Sequence, residues 1–188
     1  MGMHSINTTL FYAINDAARV YPLLDQFFIT LTNYGIPVLA VGLVGYLFYT
    51  VPQRALTAAA KFHAYLQGIE VVTSTMMVWV IVHSIKVIAV LARPFAMLTD
   101  VRLLVVQEQT YSFPSMHAAL AMVLATGVYL HHPRLGKNLF LFAGFIALSR
   151  VYVGVHYPID IVVGLAIGFV IPLVIHRLFS TRKSPSVN

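Results

Sequence analysis

Five long apolar stretches, separated by short polar connections, constrain the fold of this chain more than any other feature. They cover residues 25–50, 69–92, 115–131, 139–155 and 158–178. A helix of about 20 residues crosses the ~30 Å hydrocarbon core of a bilayer, so each stretch is close to one membrane span. Only 10% of the 188 residues are charged, against about 25% in soluble domains. We therefore predict an all-α polytopic membrane bundle of about five transmembrane helices, with six possible.

The segments outside these stretches are short. Residues 4–20 mix apolar and polar side chains, which predicts an amphipathic helix at the membrane surface, with a frayed terminus as the alternative. We expect a loop at 94–113 and a tight basic turn at 132–137. No internal repeat is visible, and we predict one domain over 1–188 with a flexible tail at 179–188.

Polar side chains that are costly to place in a membrane gather in three short clusters. The clusters are Lys86 with Arg93-Pro94, then Pro114-Ser115-Met116-His117, then Ser149-Arg150 with His156 and Asp160. Ionisable residues inside a membrane usually mark a functional site. The clusters therefore predict a site in this chain.

The distribution of Lys and Arg predicts that all three clusters face one side of the membrane. With five alternating spans, the opposite side holds Arg54, Lys61, Arg134, Lys137, Arg177, Arg182 and Lys183. Besides the cluster cations, the cluster side holds only Arg19 and Arg102. The side richer in positive charge is normally cytoplasmic. We therefore predict a multi-pass protein of the cell (inner) membrane, with an extracytoplasmic site and a cytoplasmic C-terminus.

The first two clusters have the chemistry of an anion site. Lys86 and Arg93 are two helical turns apart, so one helix would stack both cations on one face. Pro94 would end that helix; a pair of snorkelling cations is the alternative. Pro114 suits the first position of a helix, which would leave the amides of 115–117 free to bind an anion. A serine cap beside a buried histidine is the plainer alternative.

The third cluster has the chemistry of an oriented nucleophile. Pro158 suits the start of the last helix and places Asp160 in its first turn, close to His156. The carboxylate can then hydrogen-bond one ring nitrogen and leave the other as acceptor or nucleophile. Gly154 lets the backbone leave the preceding helix, and Arg150 adds a third cation. An interfacial Asp–His pair without a function is the alternative.

Taken together, these groups fit phosphoryl transfer. Three cations and a helix N-terminus would bind a multiply charged anion, one histidine would attack, and the other would protonate the leaving group. The chain has no cysteine, which excludes disulfides and thiolate metal sites. Since Asp160 is the only acid in a cluster, a Mg²⁺ route is disfavoured, and we expect neither a metal nor a cofactor.

At these residues the chain resembles the type 2 phosphatidic acid phosphatase (PAP2) superfamily of membrane lipid phosphatases. All three parts of the family signature occur in order between Lys86 and Asp160. The resemblance implies a metal-independent phosphatase that works through a phosphohistidine. It makes His156 the nucleophile, His117 the general acid and Asp160 the residue that orients the nucleophile. It also implies that the phosphate is held by Lys86, Arg93, Ser115, Met116, Ser149 and Arg150.

One position departs from the family signature. Where this chain has Met116, the family usually has Gly. The Met amide can still donate if the residue is helical, whereas a positive φ would strain it. A thioether beside the phosphate could also narrow the headgroup pocket.

The short length and the segment 23–48 resemble the small bacterial undecaprenyl-diphosphate phosphatases of the bacitracin-resistance type. This implies undecaprenyl diphosphate as substrate and a role in cell wall biogenesis. Phosphatidylglycerophosphate, phosphatidate and lipid A phosphatases share the same site and are alternatives. A lipid phosphotransferase is an alternative from a second enzyme class. A non-enzymatic membrane transporter is a remote alternative. We expect a lipid phosphate and the membrane as partners and no nucleic acid, while the oligomeric state is not predicted.

Overall fold

Helices make up nearly all of the structure, a computed structural model that describes residues 2–54, 57–106 and 111–181. The helices are α1 (Gly2–Asn15), α2 (Pro22–Arg54), α3 (Ala58–Ala89), α4 (Pro94–Met97), α5 (Met116–His131), α6 (Pro133–Tyr152) and α7 (Pro158–Thr181). None of the described residues forms a β-strand. The predicted all-α bundle is confirmed, and its five apolar stretches correspond to α2, α3, α5, α6 and α7.

The lengths and compositions of these helices suit a bilayer. The segments long and apolar enough to cross one are Pro22–Gly45, Ala64–Met97 and Pro158–Ser180, and Met116–His131 is a shorter apolar helix. Large apolar side chains such as Val41 and Ile88 stay exposed, which is expected where a surface faces lipid. Helix α6 lies outside this apolar set, so its crossing stays a prediction.

Helices α5 and α7 run parallel and approach closely because glycines remove the side chains between them. A Cβ at Gly164 would lie 2.5 Å from the carbonyl oxygen of Ser115. One at Gly168 would lie 2.3 Å from that of Ala119. Small residues permit such close helix contacts in membranes. As a result, the first turns of α5 and α7 meet at one end of the bundle.

The helix predicted within residues 4–20 is present as α1, and it docks on the bundle. Phe11 and Asn15 are fully buried. The Asn15 amide donates to the carbonyl oxygens of Tyr152 at 2.8 Å and Arg102 at 3.0 Å. Its side-chain oxygen accepts from the Arg102 amide at 2.9 Å. One buried polar side chain therefore ties α1 to the end of α6.

The connection between α5 and α6 is shorter than predicted. The tight basic turn predicted at 132–137 is wrong, because only His132 separates the two helices and α6 begins at Pro133. Proline is well tolerated at the first helical position. Gly136 then lies against α5, where a Cβ would come within 2.4 Å of the Tyr129 Cβ. The two helices form a tight antiparallel pair.

Two predicted segments fall partly outside the described residues. Residues 107–110 of the predicted loop and 182–188 of the predicted tail lie there. The described part of the loop contains the short helix α4. Helix α7 extends to Thr181, so the structure continues three residues into the segment predicted as a tail, and the rest of the tail stays a prediction.

Candidate active site

The three sequence clusters meet at one end of the bundle. The Ser115 amide donates to the carbonyl oxygen of Asp160 at 3.0 Å, which joins the second cluster to the third. The Arg93 guanidinium donates to the carbonyl oxygen of Val155 at 2.9 Å, which joins the first cluster to the third. Residues far apart in sequence therefore form a single polar site.

His156 lies between a carboxylate and a guanidinium in this site. Its Nδ1 is 3.2 Å from Asp160 Oδ2, and its Nε2 is 3.2 Å from Arg93 Nη1. The side chains of His156 and Asp160 are each 2% exposed. The same Oδ2 accepts hydrogen bonds from the Tyr157 amide at 2.9 Å and from the Ser112 hydroxyl. Several donors thus fix the carboxylate, and the carboxylate fixes the imidazole.

These contacts define which ring nitrogen of His156 carries the proton. A carboxylate can only accept, so Nδ1–H donates to Asp160 and Nε2 keeps its lone pair. His156 lies in the connection between α6 and α7, where burial lowers the pKa of the imidazole to about 3. Asp160 acts against this shift of the pKa, and the nearby arginines add to it. The ring is therefore neutral at pH 7, with Nε2 able to act as a nucleophile.

Three cations and one carboxylate give the site a net positive charge. Arg93 and Arg150 are buried. The half-buried Lys86 donates to the carbonyl oxygens of Tyr111 at 2.8 Å and Ser112 at 3.0 Å. Cations held together in a low-dielectric environment repel each other unless an anion lies among them. The site is therefore suited to bind an anionic group.

Lys86 and Arg93 reach the site from different backbone segments, so the prediction that one helix stacks them is wrong. Helix α3 ends before Val90, whose φ is +50°. Arg93 follows in an extended conformation, with φ −76° and ψ 157°. Pro94 begins α4 rather than ending α3, in keeping with the preference of proline for a first helical position.

The second cluster starts α5 with a serine cap. Ser115 is the N-cap, and its Oγ accepts a backbone hydrogen bond of the first turn at 3.5 Å. The prediction that Pro114 opens the helix is wrong, and the Ser115 amide is not free because it donates to Asp160. Met116 and His117 hold the first two helical positions, whose amides have no acceptor within a helix. Met116 is helical, so the strain considered from the sequence does not arise.

His117 lies within electrostatic reach of the other site residues. Its half-buried imidazole interacts with the charges of Arg150, Arg93 and Lys86 and with His156. Arg150 stands in the last turn of α6 and is buried. A titratable group near the nucleophile is therefore available for proton transfer.

Gly154 gives the backbone the exit from α6 that brings His156 into the site. Its φ is +86°, a conformation in which a side chain is strained. A Cβ there would lie 3.0 Å from Val101 Cγ1. After this turn, the His156 amide donates to the carbonyl oxygen of Arg150 at 3.1 Å. This bond fixes the position of the connection between α6 and α7.

Ser149, predicted to hold the phosphate, has its hydroxyl in contact with two neighbouring polar groups. Its hydroxyl donates to the carbonyl oxygen of Ile146 at 2.7 Å and lies 2.7 Å from the Thr32 hydroxyl. A serine hydroxyl has a single proton, which the Ile146 carbonyl accepts, so the Thr32 hydroxyl donates to Ser149 Oγ and links α2 to α6. Ser149 therefore contributes to the packing of α6 on α2, and its contact with phosphate stays a prediction.

Ser112 is the site residue that sequence reasoning missed. It is buried, its hydroxyl donates to Asp160 Oδ2, and its Oγ lies 3.4 Å from His156 Nδ1. Its carbonyl oxygen accepts from Lys86. The only sequence signal is its position just before Pro114, and a single loop serine predicts little by itself.

Comparisons with known proteins are consistent with this geometry. The model of the PAP2 superfamily matches residues 67–184. The bacitracin transport permease protein BcrC of Bacillus licheniformis is 29% identical over 188 residues, covering 100% of this chain and 85% of that protein. The undecaprenyl-diphosphatase BcrC of Bacillus subtilis is 27% identical, and the match covers 97% of this chain and 89% of that protein. The crystal structure of LpxE from Aquifex aeolicus superposes with a TM-score of 0.74 at 31% identity, covering 92% of this chain and 95% of that one.

Proposed function

The chain belongs to the PAP2 superfamily and is a membrane lipid phosphatase, and we propose that it hydrolyses undecaprenyl diphosphate to undecaprenyl phosphate and inorganic phosphate. A relative that covers nearly the whole chain has the name undecaprenyl-diphosphatase. The similarity extends well before residue 67, where the match to the superfamily model begins. It therefore includes α1 and α2, which lie outside the general phosphatase signature.

The observation that carries the proposed mechanism is the position of His156 between Asp160 and Arg93. In the first step, the Nε2 lone pair bonds to the terminal phosphorus while the bond from that phosphorus to the bridging oxygen breaks. The bridging oxygen leaves with the electron pair and takes a proton from His117. While Nε2 is bonded to phosphorus the ring is cationic, and the Asp160 carboxylate stabilises that charge.

In the second step, water attacks the phosphorus of the phosphohistidine. The phosphorus–nitrogen bond breaks, and its electron pair returns to His156 Nε2. His117, neutral after the first step, takes a proton from the attacking water and so regains the form that began the cycle. Inorganic phosphate then leaves, and no metal takes part in either step.

We assign the binding of the phosphoryl oxygens to Arg93, Arg150 and Lys86 and to the amides of Met116 and His117. Arg93 donates to His156 Nε2 at 3.2 Å, so it is already placed beside the attacking atom. When phosphate binds, this donor can turn to a phosphoryl oxygen and free the lone pair. Charge spread over the equatorial oxygens is best stabilised by such fixed donors.

We propose that this end of the bundle is extracytoplasmic. The two cations there that lie outside the site have structural contacts. Arg102 donates to the carbonyl oxygen of Ala18 at 2.8 Å, and Arg19 donates to that of Leu103 at 3.0 Å. At the other end, the described cations Lys61, Arg134, Lys137 and Arg177 are exposed. Exposed positive charge of this kind is typical of a cytoplasmic face.

The substrate is tested with a panel of lipids in detergent. Phosphate release is measured from undecaprenyl diphosphate, phosphatidylglycerophosphate, phosphatidate and lipid A, and we expect the highest kcat/KM for undecaprenyl diphosphate. His156→Ala should abolish release from all of them. His83→Ala is the matched control, since His83 is exposed and stacks on Trp79. A higher kcat/KM for another lipid would make that lipid the substrate in place of undecaprenyl diphosphate. An active His156→Ala variant would overturn the mechanism.

The absence of a metal from the reaction is tested separately. The assay is repeated in excess EDTA, well below the unfolding temperature, so that only the chemical step is examined. We expect kcat to stay unchanged, because guanidinium and ammonium groups neutralise the phosphate. Complete loss of activity that Mg²⁺ restores would contradict this mechanism.

A further inference from the structure

Three side chains with metal-ligating atoms meet at the opposite end of the same helices. Glu70 of α3, His131 of α5 and His176 of α7 each offer one ligand atom, all within 4.8 Å of one another. His176 Nδ1 is 2.8 Å from Glu70 Oε1, and His131 Nε2 is 3.5 Å from Glu70 Oε2. None of these residues takes part in the phosphatase site.

The charge of Glu70 calls for a cation at this position. Its side chain is 7% exposed, and those of His131 and His176 are 12% and 34% exposed. Among the described residues, the ion-pair partners of Glu70 are these two histidines, with no Lys or Arg. A carboxylate buried in a membrane protein is costly unless a positive charge lies beside it. When two imidazoles bind a metal as neutral ligands, the positive charge beside the carboxylate comes from the ion.

We propose that Glu70, His131 and His176 bind a Zn²⁺ ion. Two imidazole nitrogens and one carboxylate oxygen are a ligand set that zinc commonly uses, with water in the fourth position. In a tetrahedral site with bonds of about 2.0–2.1 Å, neighbouring ligand atoms lie about 3.3 Å apart. The two imidazoles lie 2.8 and 3.5 Å from different oxygens of Glu70, and the three ligand atoms lie within 4.8 Å of one another, so side-chain rotations must draw them together around the ion.

The protonation states also permit zinc binding. Both histidines must offer a lone pair to the metal. For His176 this places the ring proton on Nε2 instead of Nδ1. Its side chain is one-third exposed, so the proton can move from Nδ1 to Nε2 through solvent, with no net release of a proton. The Glu70 carboxylate needs no proton release to act as a ligand.

The ion would serve the structure of the bundle and not the phosphatase reaction. His117 and His131 are fourteen residues apart on α5, about 21 Å at the helical rise. Asp160 and His176 are sixteen residues apart on α7, about 24 Å. One ion would join α3, α5 and α7 at the end remote from the phosphate site, and thereby stabilise their packing.

The test is zinc binding by the full chain purified without a polyhistidine tag. The protein in detergent is stripped with chelator and titrated with Zn²⁺ against a competing indicator, and bound zinc is counted by mass spectrometry. We expect one zinc per chain, and His176→Gln should weaken binding by more than about 100-fold. His176 is partly exposed, so this variant is expected to fold, and Glu70→Gln is the second variant. His83→Gln, the same change at an exposed position of α3, is the control and should bind zinc normally.

Two further readouts separate a real site from loose association. Co²⁺ should give the visible absorption of a tetrahedral site in the unmodified chain and not in His176→Gln. Added zinc should raise the unfolding temperature by several degrees in the former and not in the latter. His156→Ala should still bind one zinc, which separates this site from the phosphatase site. No zinc bound, or equal zinc affinity in His176→Gln, would overturn the proposal.

Discussion

Two polar clusters at opposite ends of the bundle carry opposite patterns of charge on the same three helices. At the phosphatase end, α3, α5 and α7 contribute Lys86, His117 and Asp160, and two arginines add to the positive charge. At the other end, the same helices contribute Glu70, His131 and His176. Cations exceed acids at the first end, whereas lone-pair donors surround one carboxylate at the second. The first suits an anion and the second a cation.

Helix direction explains why the two sites are arranged this way round. Helices α5 and α7 begin at the phosphatase end and end near the cluster of Glu70, His131 and His176. A helix N-terminus carries partial positive charge and unsatisfied N–H groups, and a C-terminus carries partial negative charge. The parallel packing of these two helices therefore favours anions at one end and cations at the other, before any side chain is considered.

The largest expected effect comes from replacing one acid by its amide at each end. Asp160→Asn should lower kcat about 10³–10⁴-fold, because an amide can donate to Nδ1 and stabilise the wrong tautomer of His156. Glu70→Gln should change kcat less than about 3-fold, since distant sites act independently. Both are measured by phosphate release at saturating substrate, below the unfolding temperature. Similar losses of kcat in the two variants would refute the assignment of catalysis to one end of the bundle only.

A second prediction asks whether charge alone explains the phosphatase end. Arg93→Lys keeps the positive charge but loses the planar guanidinium, whose Nη1 contacts both Val155 and His156. We expect kcat to fall about 10²-fold, the typical cost of removing one fixed donor to a developing charge. Arg134→Lys, at an exposed position of the other end, is the control and should be fully active. Normal activity of Arg93→Lys would mean that a diffuse positive field suffices.

The fold was predictable wherever it depends on the length of apolar segments. Crossing a bilayer requires about 20 apolar residues, so α2 and α7 stand out in the sequence. The start of α6 does not, because Pro133 and its basic neighbours are typical of turns as well as of a first helical turn. Close packing of Gly136 on Tyr129 decides between them, and such a contact is invisible in one sequence.

The site divides in the same way between local and distant contacts. The pairing of His156 with Asp160 was predictable because a proline at the start of α7 places the carboxylate one turn from the imidazole. The contact of Ser112 with Asp160 was not, since it joins a loop to a helix 48 residues later. The cluster of Glu70, His131 and His176 spans three helices and follows no sequence motif.

The role of Ser112 provides a third and smaller prediction. Ser112→Ala removes one hydrogen bond to Asp160 and should lower kcat about 10-fold, as expected for a bond to a charged group worth about 1.5 kcal/mol. KM should change little, because Ser112 orients the pair and does not contact phosphate. Ser149→Ala is the control: it should lose stability through its contact with Thr32 and keep kcat. A loss of activity in Ser149→Ala would support its predicted place in the phosphate site.

The smallest expected effect on activity belongs to Met116. Its side chain packs against the hydrophobic core, and its backbone is already helical. Met116→Gly should therefore keep kcat within about 3-fold, because the amide supplies the contact with phosphate. It should cost about 1–2 kcal/mol of stability through lost packing and the poor helix propensity of glycine. The lipid panel then tests whether the Met116 side chain limits the size of the headgroup. A marked gain in kcat/KM on lipids with larger headgroups would show that the thioether limits the pocket. An unchanged ranking of the lipids would show that Met116 is a packing residue at the phosphatase end.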